Sequence, residues 1–215
     1  VQASRATAPH HALFTRPEMK VERVSYDVMT PSAARGIIEA IYWKPAIRWV
    51  VDKIHVLNEI KFTNIRRNEV SEKATNVSAK RLYTTTGKLL YISATDSRQQ
   101  RAALVLKDVD YIIQLHFELT AQAQAEDTAE KHYNIALRRL RKGQYFHAPC
   151  LGTREFGAQV SPWEEPIPPS ALGSRELGWM LYDLDFSNPK DIKPMFFKAA
   201  LSDGVLDLQN LEIRR

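Results

Sequence analysis

Two amphipathic helical segments, separated by long β-rich stretches, constrain the fold of this sequence more than any other feature. The first segment covers residues 31–41, where Thr30 is a favourable N-cap and Pro31 suits the first helical position. Its apolar residues recur at helical spacing, at Ala34, Ile37, Ile38 and Ile41. This helix has to end before Pro45, because proline disfavours helical geometry in the residue that precedes it.

The second helical segment covers residues 128–142. Asp127 and Glu130 have the spacing of a capping box, and Gly143 is a typical helix stop. The helical period predicts a core-facing stripe formed by Tyr133, Ala136, Leu137 and Leu140.

The segments around these helices predict a sheet. Residues 46–62 and 102–119 are rich in β-branched and aromatic side chains with partial alternation, so each predicts a long strand. The N-terminal ten residues show no clear period, but 11–15 predict the end of a strand and 145–147 the start of another. Residues 63–103 are polar, and we interpret them as an excursion around one short strand at positions 89–93. The order strand, helix, strand, strand, helix, strand predicts an α+β chain of the ferredoxin-like, RNA-recognition type.

The composition changes after Pro149. Six of the eleven prolines fall between positions 149 and 189, and short apolar runs at 178–186 and 195–201 predict strands of a small antiparallel sheet. We therefore predict two domains, a ferredoxin-like domain over residues 1–148 and a small β-sheet domain over 149–215.

The charge pattern indicates a nucleic-acid partner. The formal charge is +5, and from position 131 to 147 there are five basic residues and no acid. A second cluster comprises Lys61, Arg66, Arg67, Lys73, Lys80 and Arg81. Both clusters could equally be solvated faces, which is the commoner role of a charge run.

Several function classes lack their signatures. The chain has no Walker loop, no dinucleotide-binding glycine pattern, no nucleophile elbow and no zinc-ligand spacing, so we expect no metal or cofactor. A single cysteine, Cys150, allows no internal disulfide and predicts a reducing cytoplasm. No apolar run is long enough to cross a membrane, so we expect no membrane partner.

Lys131 and His132 open the second helix, where free N–H groups and the helix dipole favour a phosphate. The positive end of the dipole also favours a neutral imidazole, which can accept a proton. Cleaving RNA without a metal needs a base for the 2′-hydroxyl, a cation for the phosphate and an acid for the leaving oxygen. A solvated Lys-His pair on the helix surface is the plainer alternative.

Tyr42 is the second residue of interest, because it closes the first helix just before a strand. Its hydroxyl could emerge at the edge of the sheet, although an aromatic residue there is more often part of the core. We interpret Trp43 and Trp49 as packing residues rather than base-stacking platforms.

Five short stretches occur in the order found in one protein family. They are 13–17 (LFTRP), 31–37 (PSAARGI), 39–45 (EAIYWKP), 131–135 (KHYNI) and 151–156 (LGTREF). Together they make the sequence resemble the Cas5 family of CRISPR-associated proteins, in its type I-C (d, or Dvulg) branch. The resemblance implies an endoribonuclease that cuts the CRISPR repeat in precursor RNA. It implies further that the protein then stays on the 5′ handle of the guide with other subunits of a type I-C interference complex.

The resemblance implies a catalytic trio of Tyr42, Lys131 and His132. The mechanism that we expect is a metal-independent attack by the 2′-hydroxyl, whose proton goes to His132 or Tyr42. Because a neutral tyrosine is a poor base near pH 7, we favour His132 as the main proton acceptor, with Tyr42 orienting or donating. Basic side chains are the candidates for binding the RNA: Arg35, Arg66, Arg67, Arg138, Arg139, Arg141 and Lys142. Double-stranded DNA is a further candidate partner. Two alternatives stay open at this point, a subunit that binds the guide handle without cutting it and a nonspecific DNA-binding protein.

Overall fold

The computed structural model describes residues 2–7, 11–19, 21–72 and 93–215. Within these ranges the chain forms two helices and twelve strands, and the strand pairs are antiparallel except for one. The helices are α1 (Pro31–Ile41) and α2 (Ala129–Arg141). The strands are β1 (Gln2–Thr7), β2 (His11–Ala12), β3 (Arg23–Val24), β4 (Ile47–Val56), β5 (Lys61–Val70), β6 (Arg98–Lys107), β7 (Asp110–Leu119), β8 (Gln159–Trp163), β9 (Arg175–Asp185), β10 (Lys193–Leu201), β11 (Val205–Asp207) and β12 (Ile213–Arg214). The chain is thus an α+β protein with mostly antiparallel sheets. None of the helices in the described ranges has the length and apolarity to cross a membrane.

The central sheet has five strands in the order β11-β4-β7-β1-β8. Its strand β1 comes from the N-terminal residues that show no clear hydrophobic period. The inward positions of β1 are occupied by Ser4 and Ala6, both fully buried. Because these side chains are small, β1 lacks the alternation of large apolar and polar residues by which a strand is predicted from sequence. On the partly exposed face, the guanidinium of Arg5 donates to the Asp110 carboxylate on β7 across 2.9 Å.

The sequence predicted two long strands, and the structure divides each of them into two strands. Residues 46–62 divide into β4 and the start of β5, and residues 102–119 divide into the end of β6 and β7 at Asp108, whose φ is 53°. The chain keeps its direction at this break, since β6 pairs with β5 and β7 pairs with β4 in nearly the same register. Much of the polar excursion also proves to be strand, since β5 and β6 pair along their whole lengths. The short strand expected at 89–93 lies outside the described residues except for Ser93, which is not in a strand.

The strand expected at 145–147 is wrong. The N–H groups of Phe146 and His147 both donate to the Ala40 carbonyl at the end of α1, so this segment is pinned to a helix. The sheet receives β8 instead, which pairs with β1.

The expected strands at 178–186 and 195–201 are confirmed as parts of β9 and β10, which form a small antiparallel sheet with β12. A further sheet combines β2, β3, β5 and β6. Two strands beyond position 149, β8 and β11, belong to the central sheet. The division into residues 1–148 and 149–215 stays a prediction about independent folding units.

Helix α1 follows its sequence pattern closely. The Thr30 side chain accepts from the Ala33 N–H, and the four apolar residues of the predicted stripe are all buried against the core. Helix α1 packs on β4 and β9 and contacts α2, so its C-terminal end comes close to the second helix.

Helix α2 departs from its predicted orientation. Its N-cap is Thr128 rather than Asp127, and its buried residues are His132, Ala136 and Leu140, while Tyr133 is exposed. The inward stripe is therefore rotated by about one residue, and a histidine takes the place that the hydrophobic period assigns to tyrosine. The expected stop is confirmed, since Gly143 has a φ of 60°.

Candidate active site

A buried hydrogen bond joins the ends of the two helices. The Tyr42 hydroxyl lies 2.7 Å from Nδ1 of His132, and each residue is only 2% exposed. Both backbone polar groups of Tyr42 are hydrogen-bonded. Its N–H donates to the Ile38 carbonyl, and its carbonyl accepts from Nε1 of Trp49 across 2.8 Å. The phenol is thus presented to the imidazole by a backbone that is itself held in place.

The imidazole is equally well held. Capping of α2 by Thr128 directs His132 inward, and the Phe117 ring on β7 packs edge-on against the imidazole at a centroid distance of 6.3 Å. The plainer alternative of a solvated Lys-His pair is wrong for His132, which is in the core. It holds only for Lys131, whose side chain is 44% exposed.

Asp127 contacts the other nitrogen of the same ring. Its Oδ1 lies 3.3 Å from Nε2 of His132, at an angle too poor for a hydrogen bond, so the interaction is electrostatic. A carboxylate at this nitrogen favours the tautomer with the proton on Nε2. The lone pair of Nδ1 is then free to accept the Tyr42 O–H, which is the arrangement a proton acceptor for Tyr42 requires.

Asp127 is held as an anion. A hydrogen bond from the Gln124 N–H lowers the pKa of its carboxyl, and Lys131 lowers that pKa further. The ammonium of Lys131 lies 3.5 Å from Oδ1 of Asp127 and 3.2 Å from the Glu126 carbonyl. One carboxylate therefore contacts both Lys131 and His132 at the entrance to α2.

Arg139 covers the tyrosine. Its guanidinium lies 5.2 Å from the centroid of the Tyr42 ring, and its Nη1 donates to the Ile41 carbonyl across 2.8 Å. Burial raises the pKa of Tyr42, with Asp127 acting in the same direction and Arg139 opposing it. The phenol therefore stays protonated at neutral pH.

The seven predicted RNA-binding residues fall into three groups. Two are engaged with carboxylates of other elements: Arg35 pairs with Asp183 on β9, and Arg67 pairs with Glu155. Arg139 lies inside the site described above. The other four are exposed: Arg66, Arg138, Arg141 and Lys142. Of these, Arg138 donates to Gln144 across 3.2 Å and Arg141 pairs with Glu164 across 2.6 Å.

The sequence-based reasoning missed two features of this region. Asp127 was taken for a helix cap, although its separation of five positions from His132 could have suggested a contact across the first helical turn. Trp43 was taken for a packing residue, yet it is 53% exposed, while Trp49 is buried as expected. In the part of the chain that the structure describes, no three His, Cys, Asp or Glu side chains converge as metal ligands would.

Comparison with known proteins shows the family to which the chain belongs. The family model for CRISPR-associated Cas5 proteins, in its Cas5d form, matches residues 7–209. This chain belongs to the Cas5d family. A curated Cas5d relative from Mannheimia succiniciproducens, a CRISPR pre-crRNA endoribonuclease, is 50% identical over 92% of this chain and 90% of its own length. A second from Thermus thermophilus, with the same curated name, is 43% identical over 92% of this chain and 87% of its own length.

Solved structures agree on the fold of this Cas5d chain. A functionally uncharacterized protein from Streptococcus mutans matches with a TM-score of 0.70 at 23% identity, covering 100% of this chain and 96% of its own. A crystal structure of a CRISPR-associated protein matches with the same TM-score, identity and coverage. At such low identity these matches bear on the fold alone.

Proposed function

We propose that this protein is a metal-independent endoribonuclease that cleaves the CRISPR repeat in precursor RNA, in the cytoplasm of a prokaryote. Membership of the Cas5d family and the curated activity of both relatives support the substrate and the reaction. The observation that carries the chemistry is the buried 2.7 Å contact between Tyr42 and His132 beside the exposed ammonium of Lys131.

The ferredoxin-like character of the domain belongs to the same proposal. Strands β4, β7, β1 and β8, with the two helices between them, follow the chain order strand, helix, strand, strand, helix, strand. They lie side by side as β8-β1-β7-β4, with every neighbouring pair antiparallel. This arrangement supports an RNA-recognition-type unit whose helices meet at the site.

The first step is proton transfer from the 2′-hydroxyl. A neutral phenol is a weak base near pH 7, and burial makes the Tyr42 hydroxyl harder to ionise. Tyr42 can nevertheless pass its proton to Nδ1 of His132 while its oxygen takes the proton of the 2′-hydroxyl. Asp127 stabilises the imidazolium that forms, as an orienting carboxylate does in catalytic triads.

The second step is attack at phosphorus. The 2′-oxygen forms a bond to phosphorus, the bond from phosphorus to the 5′-oxygen breaks, and that oxygen takes up a proton from water. The hydroxide that remains is neutralised by the proton of the His132 imidazolium, which returns the site to its starting state. Lys131 neutralises the charge that builds on the phosphate oxygens. The products are a 2′,3′-cyclic phosphate and a 5′-hydroxyl. Since Tyr42 and His132 are both buried and the Arg139 guanidinium lies over the Tyr42 ring, the RNA has to displace Arg139 to reach the phenol from that side.

After cleavage we propose that the protein stays on the 5′ handle with other subunits of a type I-C interference complex. The exposed basic residues Arg66, Arg138, Arg141 and Lys142 are the candidates for contacting RNA phosphates. Arg35, Arg67 and Arg139 would have to give up contacts within the protein to do the same.

One experiment separates the candidate functions. Purified protein is incubated with repeat RNA in excess EDTA, beside the same RNA carrying one deoxyribose immediately 5′ of the scissile phosphate. We expect cutting of the all-ribose RNA alone, and an upstream fragment that ends in a cyclic phosphate. Cutting of the deoxy-substituted RNA, or loss of activity on chelation, would refute the mechanism. Tight RNA binding without cutting would indicate a handle-binding subunit, and equal binding of RNA and double-stranded DNA would indicate a nonspecific DNA-binding protein.

A further inference from the structure

A cavity of about 590 Å³ opens beside the candidate active site, between the C-terminal end of α1 and the segment that follows α2. Its size lies within the range of small-molecule sites, about 300–1,000 Å³. Its lining comprises Gly36, Glu39, Ala40, Trp43, Lys44, Pro45, Arg139, Phe146 and His147.

Two large aromatic rings in this lining are exposed. Trp43 is 53% exposed and Phe146 is 77% exposed, the highest value among the large hydrophobic residues that the structure describes. The His147 ring packs edge-on against Phe146 at a centroid distance of 4.4 Å. Exposed aromatic side chains that share a cavity are the feature on which unpaired bases stack, because every base has a π face.

The backbone that carries these rings is anchored. The N–H groups of Phe146 and His147 donate to the Ala40 carbonyl across 2.9 and 3.0 Å. On the other side, Trp43 follows the residue that closes α1. Both rings are thus presented from fixed backbone, and stacking on them costs little conformational entropy.

The charges around the cavity suit RNA. Lys44 and Arg139 are cationic and His147 adds a third group that can carry positive charge, while the single acid, Glu39, is 3.4 Å from the Arg35 guanidinium. The cavity adjoins the candidate active site, because Trp43 follows Tyr42 and Arg139 both lines the cavity and lies over the Tyr42 ring.

We propose that this cavity holds one unpaired nucleobase of the RNA, stacked on Trp43 and Phe146, in a nucleotide that flanks the scissile phosphate. This proposal rests on the proposed function, since it assigns a subsite to the same RNA. Stacking on the two rings would fix the sugar and phosphate of that nucleotide beside Tyr42 and Lys131.

The test removes each stacking partner in turn. Trp43→Ala and Phe146→Ala should each weaken binding of repeat RNA by roughly 5- to 150-fold, the usual weight of one base–aromatic stack. In the parental protein, an abasic nucleotide at one unpaired position flanking the cut should cause a loss of the same size. That abasic change should have little further effect in Trp43→Ala, because the stack is already gone. With 2-aminopurine at that position, fluorescence should be quenched by the parental protein and recover in Trp43→Ala.

Two control variants test whether the loss of binding is specific to the aromatic rings of the cavity. Phe186→Ala removes a ring that is 58% exposed and does not line the cavity, so it should leave RNA binding unchanged. Trp43→Phe keeps an aromatic face and should restore most of the affinity, while thermal melting checks that each variant folds.

The abasic scan uses the parental protein, so it decides the matter even if a variant fails to fold. If no abasic position weakens binding, and 2-aminopurine is not quenched at any of them, the proposal is overturned and the surface is left for a protein contact. A protein that cleaves normally with those results would keep the proposed function and lose only the subsite. A protein that shows the stacking effects without cleaving would lose the function and keep the subsite.

Discussion

The hydrogen bond between Tyr42 and His132 can be tested by removing a single oxygen atom. Tyr42→Phe preserves the buried ring but deletes the hydroxyl that lies 2.7 Å from Nδ1 of His132. The imidazole then has no partner at that nitrogen in a site that is 2% exposed, which costs about 1–3 kcal/mol of folding stability. For a chain of this size the melting temperature should fall by about 2–4 °C for each kcal/mol. The variant should therefore remain folded at assay temperature.

The effect on cleavage should be far larger. Without the phenol, no group connects the 2′-hydroxyl to the enclosed imidazole, and we expect the rate to fall by roughly 100- to 10,000-fold, the weight of one acid–base group. His132→Ala should cause a loss of similar size and leave RNA affinity nearly unchanged, because the ring is buried. If Tyr42 and His132 act as one relay, the double variant should cost about as much as either single variant.

The assay is single-turnover cleavage of end-labelled repeat RNA with protein in excess and EDTA present. Tyr133→Phe is the matched control, since it makes the same substitution on an exposed tyrosine next to His132 and should cleave at the parental rate. Near-parental cleavage by Tyr42→Phe or His132→Ala would show that the relay is not the path of the proton. Losses that multiply in the double variant would show that the two residues act independently.

Three further outcomes follow from the site. Arg138→Ala with Lys142→Ala should reduce the salt dependence of RNA binding by about 0.7–0.9 log units of slope per lost phosphate contact, measured by titration at several salt concentrations. An unchanged slope would mean that these side chains do not contact RNA. Tyr42 should ionise above the ordinary tyrosine pKa of about 10, and Arg139→Gln, which keeps a covering side chain but removes the cation, should raise its pKa further. NMR of carbon-labelled tyrosine measures both values, and a Tyr42 signal that titrates below the ordinary value would contradict the burial argument. Asp127→Asn should slow cleavage by up to roughly 10,000-fold, the loss seen when a histidine loses its orienting carboxylate. Full activity in that variant would leave Asp127 only a structural role.

The sequence was sufficient for features that depend on local periodicity and capping. Helix α1 begins at Pro31 with its predicted N-cap and buries its predicted stripe, because one apolar face and one capping side chain determine a helix of about three turns. The strands β9 and β10 were found for the same reason, as short apolar runs between prolines.

The strand β1 could not be found in this way, since its inward positions are Ser4 and Ala6. Small residues carry no hydrophobic period, and only the neighbouring strands reveal that this face is inside. The missed division of residues 102–119 has another cause. The division depends on the left-handed backbone conformation of Asp108. Non-glycine residues rarely adopt this conformation, so the break could not be predicted from the sequence.

The sequence named the residues of the candidate site but did not predict that His132 is buried. Tyr42, Lys131 and His132 came from a family resemblance, and the structure brings Tyr42 and His132 into contact and sets Lys131 beside them. Burial of His132 was not foreseen, because a polar residue was excluded from the helical stripe by its type. Here Nδ1 of the buried imidazole has a hydrogen-bond partner in Tyr42, and Nε2 has only the electrostatic contact with the Asp127 carboxylate.

The burial of His132 indicates that the exposed and the buried residues of the site have different roles. Phosphate recognition needs an exposed cation, and Lys131 supplies one at the surface, where water and salt screen it. Proton transfer needs an acceptor aligned with its donor, and the buried 2.7 Å contact keeps Nδ1 of His132 aligned with the Tyr42 hydroxyl. Tyr42 is the one group that can serve both regions, since its ring is sealed beneath Arg139 while its oxygen lies next to the imidazole. We therefore expect bound RNA to move the Arg139 guanidinium away from the Tyr42 ring and so expose the phenol.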